Sequence, residues 1–423
     1  MKSEQEKIIT IINSAIESVK PERVIPINVS LKNNILQICD SIYDLNKIDK
    51  VYVVGMGKAS AEMARVLELI LGDRISAGVV ATKDNHSSNT KRIKILECSH
   101  PIPDERSLTA GSEIISLCNQ ASENDLVIVL ISGGGSVLAE SLKENISFSD
   151  LVELNKFLLN SGADINEINI IRQRLSLIKN GGLLNYIKPA EAVSLIISDI
   201  INNPIELIAS APTYHSHLEQ EMIFNIVKKY NLGIMLSNKL IDLILEPPTE
   251  NNIKKSCTNY IIADNEMMLQ EAEKTASHFG YETILRNNIN GNVDVVSKQI
   301  VTDLLNNKDK LIIYGGETTV KVSGNGKGGR NQELVLRILN ELKSYESEFV
   351  FASVGSDGTD GPTDAAGAIV NNNDLIDHKN LIAEIPCYLE NNDSNNFHDK
   401  NDSLIFTGPT KTNVMDLMIG YLK

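Results

Sequence analysis

Three aspartates follow an apolar strand in the stretch SVGSDGTDGPTDAAGAIV, which covers residues 353–370. Asp357, Asp360 and Asp364 stand on a frame of glycine, threonine and proline, at the carboxyl end of the strand, where open α/β sheets bind ligands. Such an oxygen-rich, acidic loop suits Mg²⁺, which usually takes one or two carboxylates together with phosphate oxygens. We therefore predict Asp357 and Asp360 as metal ligands, and a turn built from Asp and Gly is the alternative.

A lysine follows another predicted strand, in the run KVYVVGMGKAS. Gly55, Gly57 and Lys58 stand at a strand-to-helix turn, where free backbone N–H groups and the helix dipole attract anions. The turn is not a Walker A loop, because the spacing GxxxxGK[ST] is absent. It partly resembles GxGxxG, with Ser60 at the third glycine position. The pattern predicts an anion site, with a tight turn as the alternative.

The apolar run LVIVLI leads into a turn of the form SGGGS. Ser132, Gly133, Gly134, Gly135 and Ser136 would expose backbone donors at a helix start, which makes a nest for phosphate or carboxylate. The nucleophile-elbow pattern GxSxG is not matched, so a serine hydrolase is disfavoured. Close packing of helix on strand is the alternative explanation for the glycines.

Basic residues are concentrated in the segment EINIIRQRLSLIKNGGLL, residues 167–184, which predicts a helix that carries Arg172, Arg174 and Lys179. Such a cluster suits the carboxylate of a small acid or the phosphates of a nucleotide, since arginine recognises planar anions with two hydrogen bonds. We choose Arg172 for a carboxylate. The alternative is a solvated helix face.

Further polar residues stand at strand ends and in a glycine-rich loop. The strand VSLIISDI ends on Ser198 and Asp199, where a carboxylate can ligate a metal or orient a hydroxyl. In the second half, the strand LIIYGG and the loop GNGKGGR bring cations among glycines that let the backbone approach phosphates. The candidates there are Glu317, Lys327, Gly329 and Arg330.

Short β-rich runs alternate with helical periods along the chain, the pattern of a parallel sheet covered on both faces. We predict two α/β domains: a Rossmann-like α/β/α domain with a mostly parallel sheet over 1–245, and a smaller α/β domain over 246–423. The boundary is set in the Pro-Pro, Asn-rich run EPPTENN. The chain opens with an amphipathic helix on which Ile8, Ile12 and Ile16 share a face, and a second helix is predicted over 30–44.

Composition limits the partners and the compartment. A formal net charge of −15 over 423 residues disfavours nucleic acid or an anionic membrane as the main partner. The five cysteines show no CxxC spacing, so neither a zinc site nor a disulfide framework is indicated. We expect that the acidic, amphipathic N-terminus is not a targeting peptide, and the longest apolar run is too short to span a bilayer. We expect a soluble, cytoplasmic protein with a small-molecule partner, and a homodimer is left open.

Five runs together resemble the glycerate 2-kinase family, whose C-terminal domain is called MOFRL. They read IKNGGLL, LIASAPT, GGETTVKVSGNGKGGRNQEL, DGTDGPTDAAGAIV and TGPTKTNVMDL, and the resemblance extends over residues 51–417. It implies a two-domain enzyme that uses ATP and Mg²⁺ to phosphorylate D-glycerate to 2-phosphoglycerate, with the active site in a cleft between the domains. The family's functional lysine and arginine fall on Lys58 and Arg330.

The resemblance and the residue patterns together give an expected site. Lys58, Arg330 and Asp199 are predicted as catalytic, Arg172 and Ser198 as substrate-binding. Mg²⁺ is assigned to Asp357 and Asp360, while the sequence leaves open which of Asp199, Asp357 and Asp360 receives the hydroxyl proton and which bind the metal. The predicted nucleotide contacts are Gly55, Gly57, Ser132, Gly133, Gly134, Gly135, Ser136, Glu317, Lys327 and Gly329.

Departures from the family pattern and two other functions stay open. The chain reads SDIINNP where the family usually shows SDVPGD, SAPT for SGPT, and Lys411 for a glycine, so a kinase for a related sugar acid is an alternative. An NAD(P)H-dependent hydroxypyruvate reductase would use Gly55, Gly57 and Ser60 as its dinucleotide turn. Asp73 is near the spacing of the ribose-binding acidic residue but follows a helix, which argues against it. A non-catalytic sensor is the third alternative, although no DNA-binding segment is present to give it an output.

Overall fold

The chain forms two compact units. The computed structural model describes residues 3–187, 189–216, 219–246 and 257–423. Unit 1 comprises the described residues of Met1–Val24, Ile197–Asn203 and Ala263–Lys423, and unit 2 those of Ile25–Ile196 and Pro204–Ile262. The domain boundary predicted between 245 and 246 adjoins residues 247–256, which lie outside the described residues, and it stays a prediction.

Helices and strands alternate through most of the described chain. The strands are β1 (Val29–Lys32), β2 (Ile35–Ile38), β3 (Ser41–Asp44), β4 (Val51–Met56), β5 (Ile75–Lys83), β6 (Ile93–Cys98), β7 (Leu126–Ser132), β8 (Glu191–Ile197), β9 (Thr258–Ala263), β10 (Thr283–Asn292), β11 (Leu311–Thr319), β12 (Phe349–Gly355), β13 (Gly367–Asn371), β14 (Leu404–Ile405) and β15 (Asp416–Leu422). The helices are α1 (Glu4–Ser18), α2 (Pro21–Asn28), α3 (Ser60–Leu71), α4 (Arg106–Cys118), α5 (Gly135–Leu138), α6 (Phe148–Asn160), α7 (Ile165–Leu175), α8 (Leu184–Ile187), α9 (Gln220–Lys229), α10 (Asn238–Leu245), α11 (Asn265–His278), α12 (Val293–Asn306), α13 (Arg330–Glu341), α14 (Asn372–Asp377), α15 (Lys379–Ala383), α16 (Ile385–Glu390) and α17 (Ser394–Lys400).

Unit 2 is built on a six-stranded sheet with the order β6-β5-β4-β7-β8-β9. β4 pairs in parallel with β5 and β7, and β5 pairs in parallel with β6. Every residue of β4 and β7 is buried, which explains their continuous apolar sequences, because helices cover both faces of a parallel sheet. The predicted parallel sheet of the N-terminal part is confirmed.

Unit 1 contains a second six-stranded sheet, with the order β10-β11-β15-β12-β13-β14. Among the described strands of this sheet, β10 and β11 alone pair in parallel, and the pairs from β11 through β15, β12 and β13 to β14 are antiparallel. Tyr314, Phe351 and Phe397 are among the large buried side chains of its core. The C-terminal part is thus a mixed α/β domain, as predicted.

Two helix predictions are wrong. Residues 30–44 form the antiparallel strands β1, β2 and β3, because Asn33 and Asn34 adopt positive φ and reverse the chain, and β2 alternates between exposed and buried residues. The helix predicted over 167–184 ends at Leu175, since Ser176 is extended and Gly181 has a φ of 73°. Within the described ranges no helix is long and apolar enough to cross a membrane.

Candidate active site

Lys58 lies at the turn that joins β4 to α3 in unit 2. Its backbone N–H donates to the Gly133 carbonyl at 2.9 Å, and the Ala59 N–H donates to Ser132 Oγ at 3.0 Å. A Cβ on Gly57 would stand 2.1 Å from Ser132 Oγ, and Gly57 has a φ of 139°, so this position requires glycine. The ends of β4 and β7 are therefore hydrogen-bonded to each other, and Lys58 stands at that junction.

Gly55 and Ser132 serve the packing of these strand ends. Gly55 lies inside β4, and a Cβ there would stand 2.6 Å from the Leu130 carbonyl oxygen. Ser132 is fully buried, and its Oγ also lies 3.2 Å from Ser60 Oγ. The close approach of β4 to β7 accounts for both residues, and their predicted contact with a nucleotide remains a prediction.

Residues 133–136, the glycine loop, turn from β7 into the short helix α5. Gly134 has a φ of 79°, and a Cβ there would stand 2.9 Å from His100 Nε2 and 3.5 Å from Lys58 Cγ. On Gly135, a Cβ would stand 2.9 Å from the Cβ of Ala209. The glycine loop thus places bare backbone beside an imidazole and the Lys58 side chain. This combination suits a phosphate or carboxylate, and His100 joins the candidate residues.

The predicted basic cluster separates into residues with different surroundings. Arg172, in the last turn of α7, donates from Nη2 to the Ser136 carbonyl at 3.0 Å. Arg174 donates from Nε to the Ile244 carbonyl at 2.9 Å, away from the glycine loop. Burial lowers the pKa of the Arg172 guanidinium, and Glu140 acts in the opposite direction. Arg172 is therefore the basic residue of this cluster that borders the glycine loop.

Lys179 lies after α7 and forms a buried ion pair with Glu140. The side chains of these residues are 2% and 3% exposed, and Ser176 Oγ donates to the other oxygen of Glu140 at 2.6 Å. Burial lowers the pKa of Lys179 to about 8, while Glu140 acts in the opposite direction. The pair joins the segment after α5 to the segment after α7, so it supports the glycine loop from within the unit.

Arg330 is the first residue of α13 in unit 1, and two carboxylates hold its guanidinium. Its Nε and Nη2 contact the two Asp416 oxygens at 2.6 and 2.8 Å, and Nη1 lies 2.6 Å from Glu317 Oε1. Although burial lowers it, these carboxylates leave the pKa of Arg330 above its usual range. Because a guanidinium has five N–H groups, this arrangement fixes its plane and leaves donors for a further anion.

Asp360 forms the cap of α13. Its carboxylate accepts from the backbone N–H groups of Asn331 and Gln332 at 3.1 and 2.9 Å, and from both of their side-chain amides. A Cβ on Gly329 would stand 2.3 Å from Asp360 Cγ, so Gly329 allows this approach. Burial raises the pKa of Asp360 to about 6, against the effect of the backbone hydrogen bonds. Asp360 and Gly329 thus position the helix start that carries Arg330.

Asp357 and Asp199 are half-buried carboxylates in unit 1. Asp357 Oδ1 accepts from the N–H and the hydroxyl of Thr359 at 3.2 and 3.3 Å. Asp199 Oδ2 lies 3.5 Å from Asn413 Nδ2. Ser198 is fully buried, and its N–H donates to the Ala263 carbonyl, so it shapes the turn after β8.

The glycine-rich loop before α13 is attached to residues 391–395. The Lys327 N–H donates to Asp393 Oδ1 at 2.8 Å, and the Asn395 N–H donates to the Lys327 carbonyl at 2.9 Å. The Lys327 side chain itself is exposed. Backbone hydrogen bonds therefore hold this loop in place, and its lysine side chain is directed to solvent.

Sequence reasoning did not select Asp416 as a site residue. Asp416 begins β15 and is fully buried, and burial raises its pKa while Arg330 opposes that rise. Asn265, at the start of α11, donates from Nδ2 to the carbonyls of Val414 and Asp416 at 2.8 and 3.1 Å. The sequence signal for Asp416 is a lone acid at the head of an apolar strand, which has meaning only once its partner is known.

The fold and these residues define an α/β protein with glycine turns and cationic side chains at strand and helix ends. Comparison with known proteins identifies its family. Residues 7–244 match a family described as a domain of unknown function, DUF4147, and residues 310–416 match the MOFRL family. The chain belongs to the glycerate 2-kinase family, in agreement with the resemblance seen in its sequence.

Relatives of known name cover almost the whole chain. D-glycerate 2-kinase of Thermotoga maritima is 35% identical over 98% of this chain and 97% of its own. Glycerate 2-kinase of Pyrococcus horikoshii is 34% identical over 97% of this chain and 95% of its own. A crystal structure of a glycerate kinase from T. maritima superposes with a TM-score of 0.86 at 34% identity, covering 99% of both chains.

Proposed function

We propose that this protein is an ATP- and Mg²⁺-dependent kinase that phosphorylates D-glycerate to 2-phosphoglycerate. The observation that carries the proposal is Arg330, whose guanidinium is oriented by Asp416 and Glu317 at the start of α13. Phosphoryl transfer depends mainly on positioning and on neutralising the charge of the moving group, and a fixed guanidinium supplies both. Relatives named glycerate 2-kinase support glycerate as the acceptor.

In the proposed reaction, the 2-hydroxyl oxygen of glycerate attacks the γ-phosphorus of ATP. The bond from that phosphorus to the bridging oxygen breaks, ADP leaves, and the hydroxyl proton passes to a carboxylate, for which we propose Asp199. Lys58 and Arg330 supply positive charge to the transferred group. Arg172, which borders the glycine loop, and Ser198 are proposed for the acid substrate.

The carboxylates of unit 1 fit one mode of Mg²⁺ binding. Among the described residues no group of three or more His, Cys, Asp or Glu is arranged as a metal cage. In kinases, however, Mg²⁺ is usually held by one or two carboxylates plus phosphate oxygens, and the half-buried Asp357 suits that mode. Asp360, whose oxygens already receive four hydrogen bonds, would be the weaker ligand. Bound Mg²⁺ would neutralise phosphate charge.

The first experiment is turnover of ATP and Mg²⁺ on D-glycerate, with 2- and 3-phosphoglycerate resolved in the product. We expect 2-phosphoglycerate, loss of activity with EDTA, and recovery with added Mg²⁺. Lys58→Ala should lower kcat at least about a hundredfold, whereas Lys91→Ala, at an exposed lysine of the same unit, should not. A four- to six-carbon sugar acid preferred over glycerate would support the alternative acceptor instead.

The reductase alternative is tested in the same series, with hydroxypyruvate and NADH. Asp73 precedes β5 instead of ending it, and its carboxylate pairs with Arg92 at 2.6 Å. That location disagrees with a ribose-binding acid, which follows the second strand of a dinucleotide fold. Consumption of NADH without any phosphorylated product would overturn the kinase proposal.

A further inference from the structure

An apolar pocket lies beside the glycine loop, entirely within unit 2. Its volume is about 380 Å³, and Val137, Val152, Leu159 and Ile168 form much of its wall, with Ile102 at its edge. These residues come from α5, α6, α7 and the loop after β6. Such a volume is typical of small-molecule sites. Ile102 and Leu159 are 73% and 62% exposed, so large apolar side chains face solvent at the edge of this pocket.

The pocket adjoins the glycine loop. Val137 directly follows Ser136, the last residue of that loop. Arg172 lines the pocket and donates to the Ser136 carbonyl, so one side chain borders both the apolar wall and the candidate anion site. The charged residues of the lining are Lys156 and Arg172, both cations. A ligand that joins an apolar group to an anion therefore matches this site. Its apolar group would contact the apolar wall, and its negative charge would face the two cations.

Two polar atoms of the lining residues lack partners. Both atoms are buried. Within the described part of the chain, Asn155 Oδ1 accepts no hydrogen bond and Arg172 Nε donates none. Each buried polar atom left unpaired costs about 1–3 kcal/mol. A ligand with donors and acceptors on an apolar ring would let the Asn155 amide turn and pair.

Only one reactant of the proposed kinase reaction has this character. Every carbon of glycerate carries oxygen, so an apolar wall offers it nothing. The nucleotide has a flat, weakly polar base joined through ribose to a polyphosphate. We propose that this pocket binds the purine base of the phosphoryl donor, with its phosphates directed to the glycine loop and Lys58. The assignment rests on the proposed function for the identity of the donor.

The test is a pair of substitutions at the exposed edge, where folding is least affected. Ile102→Glu combined with Leu159→Glu removes apolar contacts and places negative charge beside a polyanion. We expect KM for ATP to rise at least about tenfold, kcat at saturating ATP to stay within about threefold, and KM for glycerate to stay unchanged. The matched control is Leu69→Glu, at a residue of unit 2 that is 73% exposed and lies outside the pocket, and it should leave KM for ATP unchanged.

Binding measurements separate this proposal from the proposed function. Calorimetry with ADP and with inorganic pyrophosphate needs no acceptor substrate. The double variant should bind ADP at least about tenfold more weakly than wild type and pyrophosphate equally well. Photolabelling by 8-azido-ADP should mark peptides of α6 or the loop after β6. Unchanged ADP affinity, or a rise in KM for glycerate alone, would overturn the pocket assignment even if the enzyme is a glycerate kinase. If wild type binds ADP through this pocket but does not phosphorylate glycerate, only the proposed acceptor fails.

Discussion

The two carboxylates on Arg330 differ in a way that bears on catalysis. Asp416 is fully buried and contacts two nitrogen atoms of Arg330, whereas the Glu317 side chain, which lies 2.6 Å from Nη1, is 43% exposed. An arriving phosphate can displace an exposed carboxylate from a guanidinium more easily than a buried carboxylate that makes two contacts. We therefore expect Asp416 to orient the guanidinium throughout the reaction. Glu317, predicted from the sequence as a nucleotide contact, we instead expect to compete with the nucleotide for Arg330.

This difference predicts opposite effects for two isosteric substitutions. Asp416→Asn should lower kcat at least about a hundredfold, because Arg330 loses its orienting charge. Glu317→Gln should instead lower KM for ATP, because a competing anion is removed, with kcat within about threefold of wild type. Steady-state kinetics with varied ATP measures both. A higher KM for ATP in Glu317→Gln would show that this carboxylate helps to bind the nucleotide.

Asp416→Asn could lose activity because the protein unfolds or because Arg330 is no longer oriented, and these two causes must be distinguished. Removing one partner of a buried pair costs about 3–5 kcal/mol of stability, so thermal unfolding is followed alongside turnover. The oriented-arginine explanation requires that the folded variant remain inactive below its Tm. Near-normal kcat in the folded variant would contradict it.

At the scale of the element, the start of α13 depends on a buried histidine as well as on Asp360. His398 is fully buried in α17, its Nε2 lies 2.9 Å from the Gln332 carbonyl, and its Nδ1 lies 2.8 Å from Ser403 Oγ. A carbonyl only accepts, so Nε2 carries the proton and the neutral imidazole receives the Ser403 hydroxyl. Burial lowers the pKa of His398 to about 4. The neutral ring therefore connects α17 to the helix that presents Arg330.

This geometry predicts how His398 affects stability with pH. Its pKa is about 4 in the folded state against an ordinary 6.5, so the unfolded chain binds the proton more readily between these values. The contribution of His398 is fully present above about pH 6.5 and is lost as pH falls toward 4, by on the order of 3 kcal/mol. Urea unfolding at about pH 7.5 and about pH 5 should show a smaller loss in His398→Gln than in wild type. His278→Gln, at an exposed ring, is the control and should behave as wild type; equal losses in all three proteins would refute the role of His398.

The elements nearest the candidate site could be predicted from the sequence where a local residue pattern determines them. The glycine turns after β4 and β7 follow from apolar runs that end in glycine, and the start of α13 from a glycine-rich loop before an amphipathic period. The strands at 30–44 were missed because a pair of asparagines, Asn33 and Asn34, reverses the chain where the apolar spacing also fits a helix. The partners of Lys179 and Arg330 could not be predicted, since Glu140 and Asp416 are distant in sequence and only the fold brings them near.

At the scale of the whole molecule, the first helix belongs to the unit that contains the C-terminal half. On α1, Ile8, Ile11 and Ile12 are fully buried, and Ser14 Oγ lies within hydrogen-bond distance of Glu271 and Thr275 on α11. The helix itself and its apolar face were predictable from the spacing of its isoleucines. Its packing partner was not, because a periodic pattern identifies a buried face but not the surface that covers it.

This arrangement predicts that a substitution in the first helix destabilises elements that are distant from it in sequence. Ile12→Asp places a charge among apolar side chains of unit 1, where burying an unpaired carboxylate costs several kcal/mol. Hydrogen exchange should therefore show lost protection in α11 and β12, far along the chain, while β4 and β7 of unit 2 keep theirs. The matched control is Ile27→Asp, at a residue that is 78% exposed, and it should leave both units protected. If Ile12→Asp instead exposed β1, β2 and β3 first, α1 would stabilise its neighbours in sequence, and the assignment of the opening helix to unit 1 would fail.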